Sequence, residues 1–254
     1  MSPNDLARLA LIGLAGCVAA AINAVAGGGS LVSFPALMGL GVPSVPANAT
    51  NAFGLIPGSL SGALGLHDRF NKTKALLAEL MLASFVGGGA GAWLLWQTPG
   101  KTFDRLVPFL TLTATGLLFA QPWLKAWRDR RVRKSGRAWG FVIQLVMSVY
   151  GGYFGAGIGI MMLAAFGLFV DADIHEQNAL KGWLAVGINV VASIQFAVLG
   201  LIRYPEAGAL MTGAIIGGYV AGRASKKFNA DSLRSAIVVY GLVMSCILAY
   251  KAYT

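Results

Sequence analysis

The sequence predicts an all-α polytopic membrane protein of two homologous halves, with about 8–10 membrane segments that include two short broken or re-entrant helices. Three observations predict this fold class. Hydrophobic residues make up 56% of the 254 residues, charged residues make up 12%, and the mean hydropathy is +0.68. Apolar blocks recur in the same order in both halves, and basic residues concentrate between the blocks. Because soluble chains carry roughly 25% charged residues, this composition argues against a soluble enzyme, a disulfide scaffold and a disordered chain.

The apolar blocks follow one order in each half: long, short, long, long, long. They cover 6–26, 30–42, 46–66, 75–97 and 105–124, then 138–155, 158–170, 177–202, 206–222 and 233–250. The long blocks approach the ~20 residues that a helix needs to span a bilayer. The two short blocks are too short to span alone, so we expect re-entrant or broken helices there. We therefore divide the chain into a first transmembrane repeat (1–124), a basic cytoplasmic linker (125–137) and a second transmembrane repeat (138–254).

The two halves match each other at a constant offset of 130 residues. Ala26-Gly27-x-Gly29 matches Ala156-Gly157-x-Gly159, and Asn48-Ala49 matches Asn178-Ala179. Gly87-Gly88 matches Gly217-Gly218 without any gap. Paired glycines and an asparagine that recur inside the same block order indicate an ancient duplication.

The net charge of +10 comes from three basic segments, at 69–74, 125–137 and 223–234. Lys and Arg confined to loops indicate membrane orientation rather than nucleic-acid binding. If all five segments of each half cross, the halves are inverted, and 14 basic residues face one side against 5 on the other. If the short blocks fold back without crossing, the halves are parallel, and the split is about 13 to 6. We prefer inverted repeats, because segment 223–234 then faces the cytoplasm.

Glycine clusters open both short blocks, at Ala26-Gly27-Gly28-Gly29-Ser30 and at Gly155-Ala156-Gly157-Ile158-Gly159. One interpretation is tight packing or a hinge. The other is that the helix unwinds inside the membrane and exposes N–H groups at the start of a short helix. Such helix starts carry partial positive charge and bind anions. Two of them at matching positions predict a site near the membrane midplane.

Polar side chains within the apolar blocks are the next candidates. Asparagines in hydrocarbon must find a partner, so we expect five of them to face the interior: Asn23, Asn48, Asn51, Asn178 and Asn189. Lys181 matches Asn51 between the halves and lies one helical turn from Asn178. It either snorkels to the interface or points inward as a cation for an anionic substrate.

The other polar residues give weaker indications of function. Glu79 is interpreted as an interfacial residue or, less favoured, as a proton-coupling carboxylate. Asp171, Asp173, His175 and Glu176 are expected in a solvated loop, and no zinc motif accompanies them. Gly58-Ser59-Leu60-Ser61-Gly62 puts leucine where a nucleophilic serine would stand. We therefore predict no enzyme activity, and no catalytic, cofactor or metal-binding residues.

Several motifs resemble the TauE/SafE family, also called the sulfite exporter or 4-toluene sulfonate uptake permease family. They are Asn23-x-x-x-Gly27-Gly28-Gly29-Ser30, Phe34-Pro35-x-Leu37, Gly41-x-Pro43 and Ala47-Asn48-Ala49-Thr50-Asn51, followed by a degenerate second copy after the linker. The second half lacks prolines matching Pro35 and Pro43, and it has Lys181 in place of the Asn51-type residue. The resemblance implies transport of a small sulfur-containing anion such as sulfite, a sulfonate or sulfoacetate.

The expected function is therefore a multi-pass inner-membrane transporter that binds its anion between the two repeats. The expected substrate-binding residues are Asn23, Gly27, Gly28, Gly29, Ser30, Asn48, Asn51, Gly157, Ile158, Gly159, Asn178 and Lys181. The expected partners are the small anion and the lipid bilayer, with a homo-oligomer as a further option and no nucleic acid. Two alternatives stay open: a transporter of another small metabolite, and a membrane subunit that transports nothing.

Overall fold

A computed structural model describes residues 3–25, 28–64, 73–130, 136–172, 174–224 and 230–254. Every regular element within these ranges is an α-helix. In chain order the helices are α1 (Pro3–Val25), α2 (Ser30–Gly39), α3 (Ser44–Gly54), α4 (Ile56–Leu64), α5 (Lys74–Gln97), α6 (Gly100–Arg130), α7 (Arg137–Tyr153), α8 (Ile158–Phe169), α9 (Ile174–Val198), α10 (Tyr204–Ala224) and α11 (Ala230–Tyr253). The predicted all-α fold class is confirmed.

Five of these helices are long and apolar enough to cross a membrane, within the described part of the chain. The spans are Pro3–Asn23, Ala75–Gln97, Gly100–Leu124, Glu176–Val198 and Ser232–Tyr253. The predicted short blocks are short apolar helices, Ser30–Gly39 and Ile158–Phe169. At 10 and 12 residues and 1.5 Å per residue, neither reaches across a hydrocarbon core of about 30 Å.

The block expected at 46–66 is divided into two helices, so a single spanning helix there was the wrong expectation. Helix α3 ends at Gly54 and α4 begins at Ile56, with Leu55 as a turn between them. Pro57 favours a helix start at this point, because proline has no N–H to donate to the preceding turn and restricts the residue before it. The resulting short helix α3 packs on α2 and reaches the end of α7 through Asn48.

Helices α1 and α10 run parallel with their backbones in contact. A Cβ placed at Gly13 would lie 3.3 Å from the carbonyl oxygen of Ala209, and one at Gly217 would overlap the carbonyl oxygen of Cys17. Helices α5 and α7 form a second parallel pair. A Cβ at Gly87 would lie 2.6 Å from the carbonyl oxygen of Leu145. The small-residue spacing along these helices thus serves close backbone approach, as the sequence indicates.

The contacts of the other long helices fix their directions. Gly187 of α9 meets Met81 of α5, and Val191, one turn later on α9, faces Gly89 further along α5, so these two helices are parallel. Thr50 accepts a hydrogen bond from the Arg203 N–H at 3.0 Å, and a Cβ at Gly54 would meet Leu210. Helix α3 is therefore parallel to α10. In contrast α6 and α11 are antiparallel, because Tyr253 reaches the carbonyl of Arg105 while Gly241 meets Thr115.

Each short helix forms a hairpin with the helix before it. A Cβ at Gly140, near the start of α7, would touch Phe169 at the end of α8, and Gly151 faces Ile158. Helix α2 also turns back, because α1 and α3 are both parallel to α10 and so begin at the same end of the bundle. The α1–α2 hairpin and the α7–α8 hairpin enter from opposite ends, because α9 and α10 run in opposite directions on either side of the turn at 199–203.

Candidate functional site

The first hairpin reverses between Val25 and Ser30, where the sequence predicts an interruption. Of this stretch the structure describes Gly28 and Gly29, and Gly27 lies outside the described residues. Gly28 has a φ of 86°, in the left-handed region that favours glycine. The Gly29 N–H donates to Asn23 Oδ1 at 2.7 Å, so a side chain at the end of α1 caps the start of α2.

The second hairpin reverses between Tyr153 and Ile158, and this predicted interruption is confirmed as well. Gly155 and Gly157 both have a φ of 77°. The carbonyl of Tyr153 accepts a hydrogen bond from Asn48 Nδ2 at 2.9 Å. We refer to residues 28–30 as the first opening and to residues 154–159 as the second opening.

Helix α6 contacts both openings on one face. A Cβ at Gly28 would lie 3.4 Å from Leu118 Cδ2, and a Cβ at Gly157 would lie 3.4 Å from the Cα of Ala114. Ala114 and Leu118 are fully buried and lie four residues apart, one helical turn along α6. The openings of two hairpins that enter from opposite ends therefore converge on the same turn of one helix.

Helix α3 connects the two hairpins through a pair of buried asparagines. Asn48 and Asn51 are 2% and 3% exposed and lie on one face, three residues apart. Asn48 reaches the second opening, as described above. Asn51 Oδ1 accepts a hydrogen bond from Ser33 Oγ at 2.5 Å, and Ser33 lies in the first turn of α2. Each asparagine therefore bonds one hairpin through one polar atom, and Asn51 Nδ2 and the second Nδ2 hydrogen of Asn48 take no part in these two bonds.

Lys181 lies against the start of α8. A Cβ at Gly159 would be 3.3 Å from Lys181 Cδ, so the absence of a side chain at Gly159 makes room for the lysine stem. Lys181 Nζ donates to Asn178 Oδ1 at 3.0 Å. Lys181 takes no part in the ion pair that Arg8 forms with Glu206. Lys181, Asn178 and Gly159, predicted separately, are therefore neighbours.

Aromatic rings pack around the second opening. The ring of Phe154 is 5.4 Å from Phe34 of α2 and 6.5 Å from Phe103 of α6, in edge-on arrangements. Phe103 also packs on Tyr153 at 5.7 Å. Tyr150 Oη donates to the Ala156 carbonyl at 2.7 Å. Sequence reasoning missed these residues, because aromatic side chains in apolar blocks look the same whether they pack in a core or beside a site.

Two expectations about polar residues were wrong. Asn23 does not face the interior but is exposed, since it lies on the last turn of α1 and bonds the adjacent Gly29 N–H. Glu176 does not lie in a solvated loop but is 5% exposed in the first turn of α9. Asp171 is exposed as expected, whereas Asp173 and the His175 side chain lie outside the described residues.

Known proteins provide comparisons for this arrangement. Residues 12–248 match the family described as Sulfite exporter TauE/SafE. A probable membrane transporter protein of Haemophilus influenzae is 26% identical over 242 residues, which cover 95% of this chain and 94% of that protein. The probable membrane transporter protein YfcA of Escherichia coli is 25% identical and covers 91% of this chain and 86% of its own length.

The probable membrane transporter protein ORF9 of Sinorhizobium sp. is 26% identical, over 95% of this chain and 93% of its own length. No solved structure is a significant match. The family match spans nearly the whole chain, from α1 to α11, and the helices agree with a multi-pass protein. The chain therefore belongs to the TauE/SafE sulfite exporter family and is a multi-pass membrane transporter of the inner membrane.

Proposed function

We propose that the protein transports a small sulfur-containing anion, such as sulfite, a sulfonate or sulfoacetate, bound where the two openings converge on α6. The observation that carries this proposal is the position of Lys181. Its stem lies across Gly159 at the start of α8, and its ammonium contacts a neutral carboxamide. A cation inside a membrane protein needs a compensating charge, and a bound anion supplies it.

The helix starts add to the attraction for an anion. The first turn of a helix presents N–H groups and a partial positive charge. Glycine at the second opening leaves the backbone accessible, because no Cβ covers it. Asn48, Asn51, Asn178 and Ser30 offer donors for substrate oxygens around the two helix starts. In this proposal Asn23, Gly28 and Gly29 hold the first opening in shape, and Gly157, Ile158 and Gly159 line the second.

The sulfur in the proposed substrate comes from the family and not from the geometry. The relatives are named only as probable membrane transporters. Oxyanions of sulfur suit a site of N–H, carboxamide and ammonium donors, because each oxygen accepts hydrogen bonds.

We also propose that the two halves are inverted repeats. The offset of 130 residues supports this, as does the exchange of roles between the halves: α1 packs on α10, and α7 packs on α5. The paired helices point in opposite directions in the two halves, since α1 runs opposite to α7. With the segments at 69–74, 125–137 and 223–234 in the cytoplasm, the positive-inside rule is satisfied.

Binding to the purified protein tests the proposed function. We expect calorimetry to detect sulfite, sulfoacetate or an alkyl sulfonate, and we expect Lys181→Met to lose that binding while folding is retained. Lys251→Met is the matched control, because Lys251 is exposed in the last turn of α11. Binding of a neutral metabolite that is unaffected by Lys181→Met would favour a different transporter. Absence of binding and of uptake in proteoliposomes would favour a non-transporting subunit.

A further inference from the structure

The two openings differ by one charge at equivalent positions. Asn51 and Lys181 correspond at the offset of 130 residues. Asn51 reaches the first turn of its own short helix through Ser33, and Lys181 reaches the first turn of its own through Gly159. The first opening therefore carries a neutral carboxamide where the second carries an ammonium group.

The charge at Lys181 is not balanced by a neighbouring carboxylate in the described part of the chain. The contrast is Arg8 of α1, whose guanidinium meets Glu206 Oε1 at 2.8 Å. Lys181 Nζ instead bonds Asn178 Oδ1, a neutral acceptor. Under the proposed function, a bound anion would supply the compensating charge.

We propose that the substrate is a singly charged anion, held with its charged oxygens toward Lys181 at the second opening and its uncharged part toward Asn51 and Ser33 at the first. This inference rests on the proposed function. One ammonium neutralises one negative charge, so the inference narrows the proposed substrates to monoanions such as an alkyl sulfonate or hydrogen sulfite and excludes sulfoacetate, which carries two charges. A doubly charged anion would leave a net negative charge inside the membrane protein, and a neutral compound would leave the ammonium uncompensated. At the typical cost of a charge within a membrane helix, the wrong charge state weakens binding about 100-fold.

Three tetrahedral sulfur compounds of similar size separate charge from shape: methanesulfonate is singly charged, sulfate is doubly charged and dimethyl sulfone is neutral. We expect calorimetry on the purified full-length protein, at constant ionic strength, to detect methanesulfonate. Sulfate and the sulfone should bind about 100-fold more weakly. Equal affinity for sulfate and methanesulfonate would overturn the inference while leaving an anion transporter standing. Binding of none of these anions, nor of sulfite or sulfoacetate, would overturn the proposed function itself.

Two single substitutions each change the charge at one opening. Asn51→Lys adds a second cation and should raise the affinity of sulfate relative to methanesulfonate by tenfold or more, about 1.4 kcal/mol. Lys181→Asn removes the cation and should abolish the preference of methanesulfonate over the sulfone. If correctly folded Asn51→Lys kept the wild-type ratio of sulfate affinity to methanesulfonate affinity, the proposed charge matching would be contradicted. If that variant fails to fold, the wild-type ligand series and Lys181→Asn decide alone.

Discussion

Gly28 and Gly157 allow the chain to reverse direction in the two hairpins, since each has a positive φ beside the start of a short helix. A Cβ at either position would make contacts of 3.4 Å or longer, which are ordinary van der Waals contacts. The space is therefore adequate, and the constraint is the backbone conformation. A left-handed backbone costs a non-glycine residue roughly 1–2 kcal/mol.

Alanine at these glycines tests the backbone requirement. We expect Gly28→Ala and Gly157→Ala each to lower substrate affinity about tenfold, because ~1.4 kcal/mol of strain opposes the reversed conformation. Valine should be worse, because a β-branched side chain also resists the reversal. Gly116→Ala on α6 is the control, since a Cβ there meets nothing within 4 Å. Equal affinity in Gly116→Ala and Gly157→Ala would contradict the requirement.

A second residue-scale prediction concerns Asn48. Asn48→Leu removes the donor to the Tyr153 carbonyl and leaves that buried oxygen without its hydrogen bond. An unsatisfied buried carbonyl costs roughly 1–3 kcal/mol, so the melting temperature in detergent and the substrate affinity should both fall. Asn189→Leu, on the half-buried Asn189 of α9, is the comparison. A smaller loss in Asn48→Leu than in Asn189→Leu would count against a role for this bond.

At the residue scale, the sequence was informative where a residue type conflicts with its surroundings. Lys181 and Asn48 are polar in apolar blocks, and their hydrogen bonds to Asn178 and to the Tyr153 carbonyl follow from the need of buried polar groups for partners. Phe103 and Phe154 conflict with nothing around them, so their grouping could not be predicted. Asn23 sits near a helix end, where a polar side chain is satisfied by local backbone while staying exposed.

Among the elements, α5 and α7 depend on close backbone contact. A Cβ at Gly91 would overlap the carbonyl oxygen of Val149, whereas a Cβ at Gly89 would lie 3.5 Å from Val191. We expect Gly91→Ala to force the two helices apart and to destabilise the protein by roughly 1–3 kcal/mol. Gly89→Ala, two residues away on the same helix, should be nearly neutral. Melting temperatures in detergent test this, and equal shifts for the two variants would disprove the contact.

The existence of the helices was predictable from apolar block length, but their directions were not. The block at 46–66 contains Pro57, yet prolines at 108 and 122 lie inside a continuous α6. Proline alone therefore does not decide where a helix breaks, because packing of the neighbouring helices can satisfy the freed carbonyl. The return of α2 and α8 as hairpins likewise depends on contacts distant in sequence, such as Gly140 with Phe169.

For the whole molecule, the helix directions and the positive-inside rule give one topology. We expect the basic segments to face the cytoplasm and residue 254 to lie on the other side of the membrane, since Tyr253 contacts Arg105 at the start of α6, the end away from Arg130. A green fluorescent protein fused after Thr254 should be dark, and alkaline phosphatase fused there should be active. Fusions truncated within 131–135 should behave in the opposite way. Bright fluorescence from the fusion after Thr254 would reverse the assignment.

Cross-linking tests which parts of the bundle move, in a background with Cys17 and Cys246 replaced by alanine. Cysteines at Ala20 and Gly218 would have Cβ atoms 3.9 Å apart, within the range of a disulfide. Oxidation of that pair should leave uptake intact, because it joins helices already in backbone contact. Cysteines at Ala114 and Gly157 should stop, when oxidised, the reduced uptake that the Gly157 substitution leaves, since the disulfide ties an opening to α6. Reducing agent restores uptake if the link, and not the substitution, is responsible.

The parallel pairs have a mechanical consequence. Each pair joins one helix that precedes the linker to one that follows it: α1 with α10, and α5 with α7. A rigid-body movement of the first half against the second would separate both helix pairs. It would break the close backbone contacts at Gly217 and Gly91. Each closely packed helix pair therefore combines one helix from each half. We therefore expect any movement during transport to involve the helices outside these pairs, above all the short helices α2 and α8 and the divided segment α3–α4.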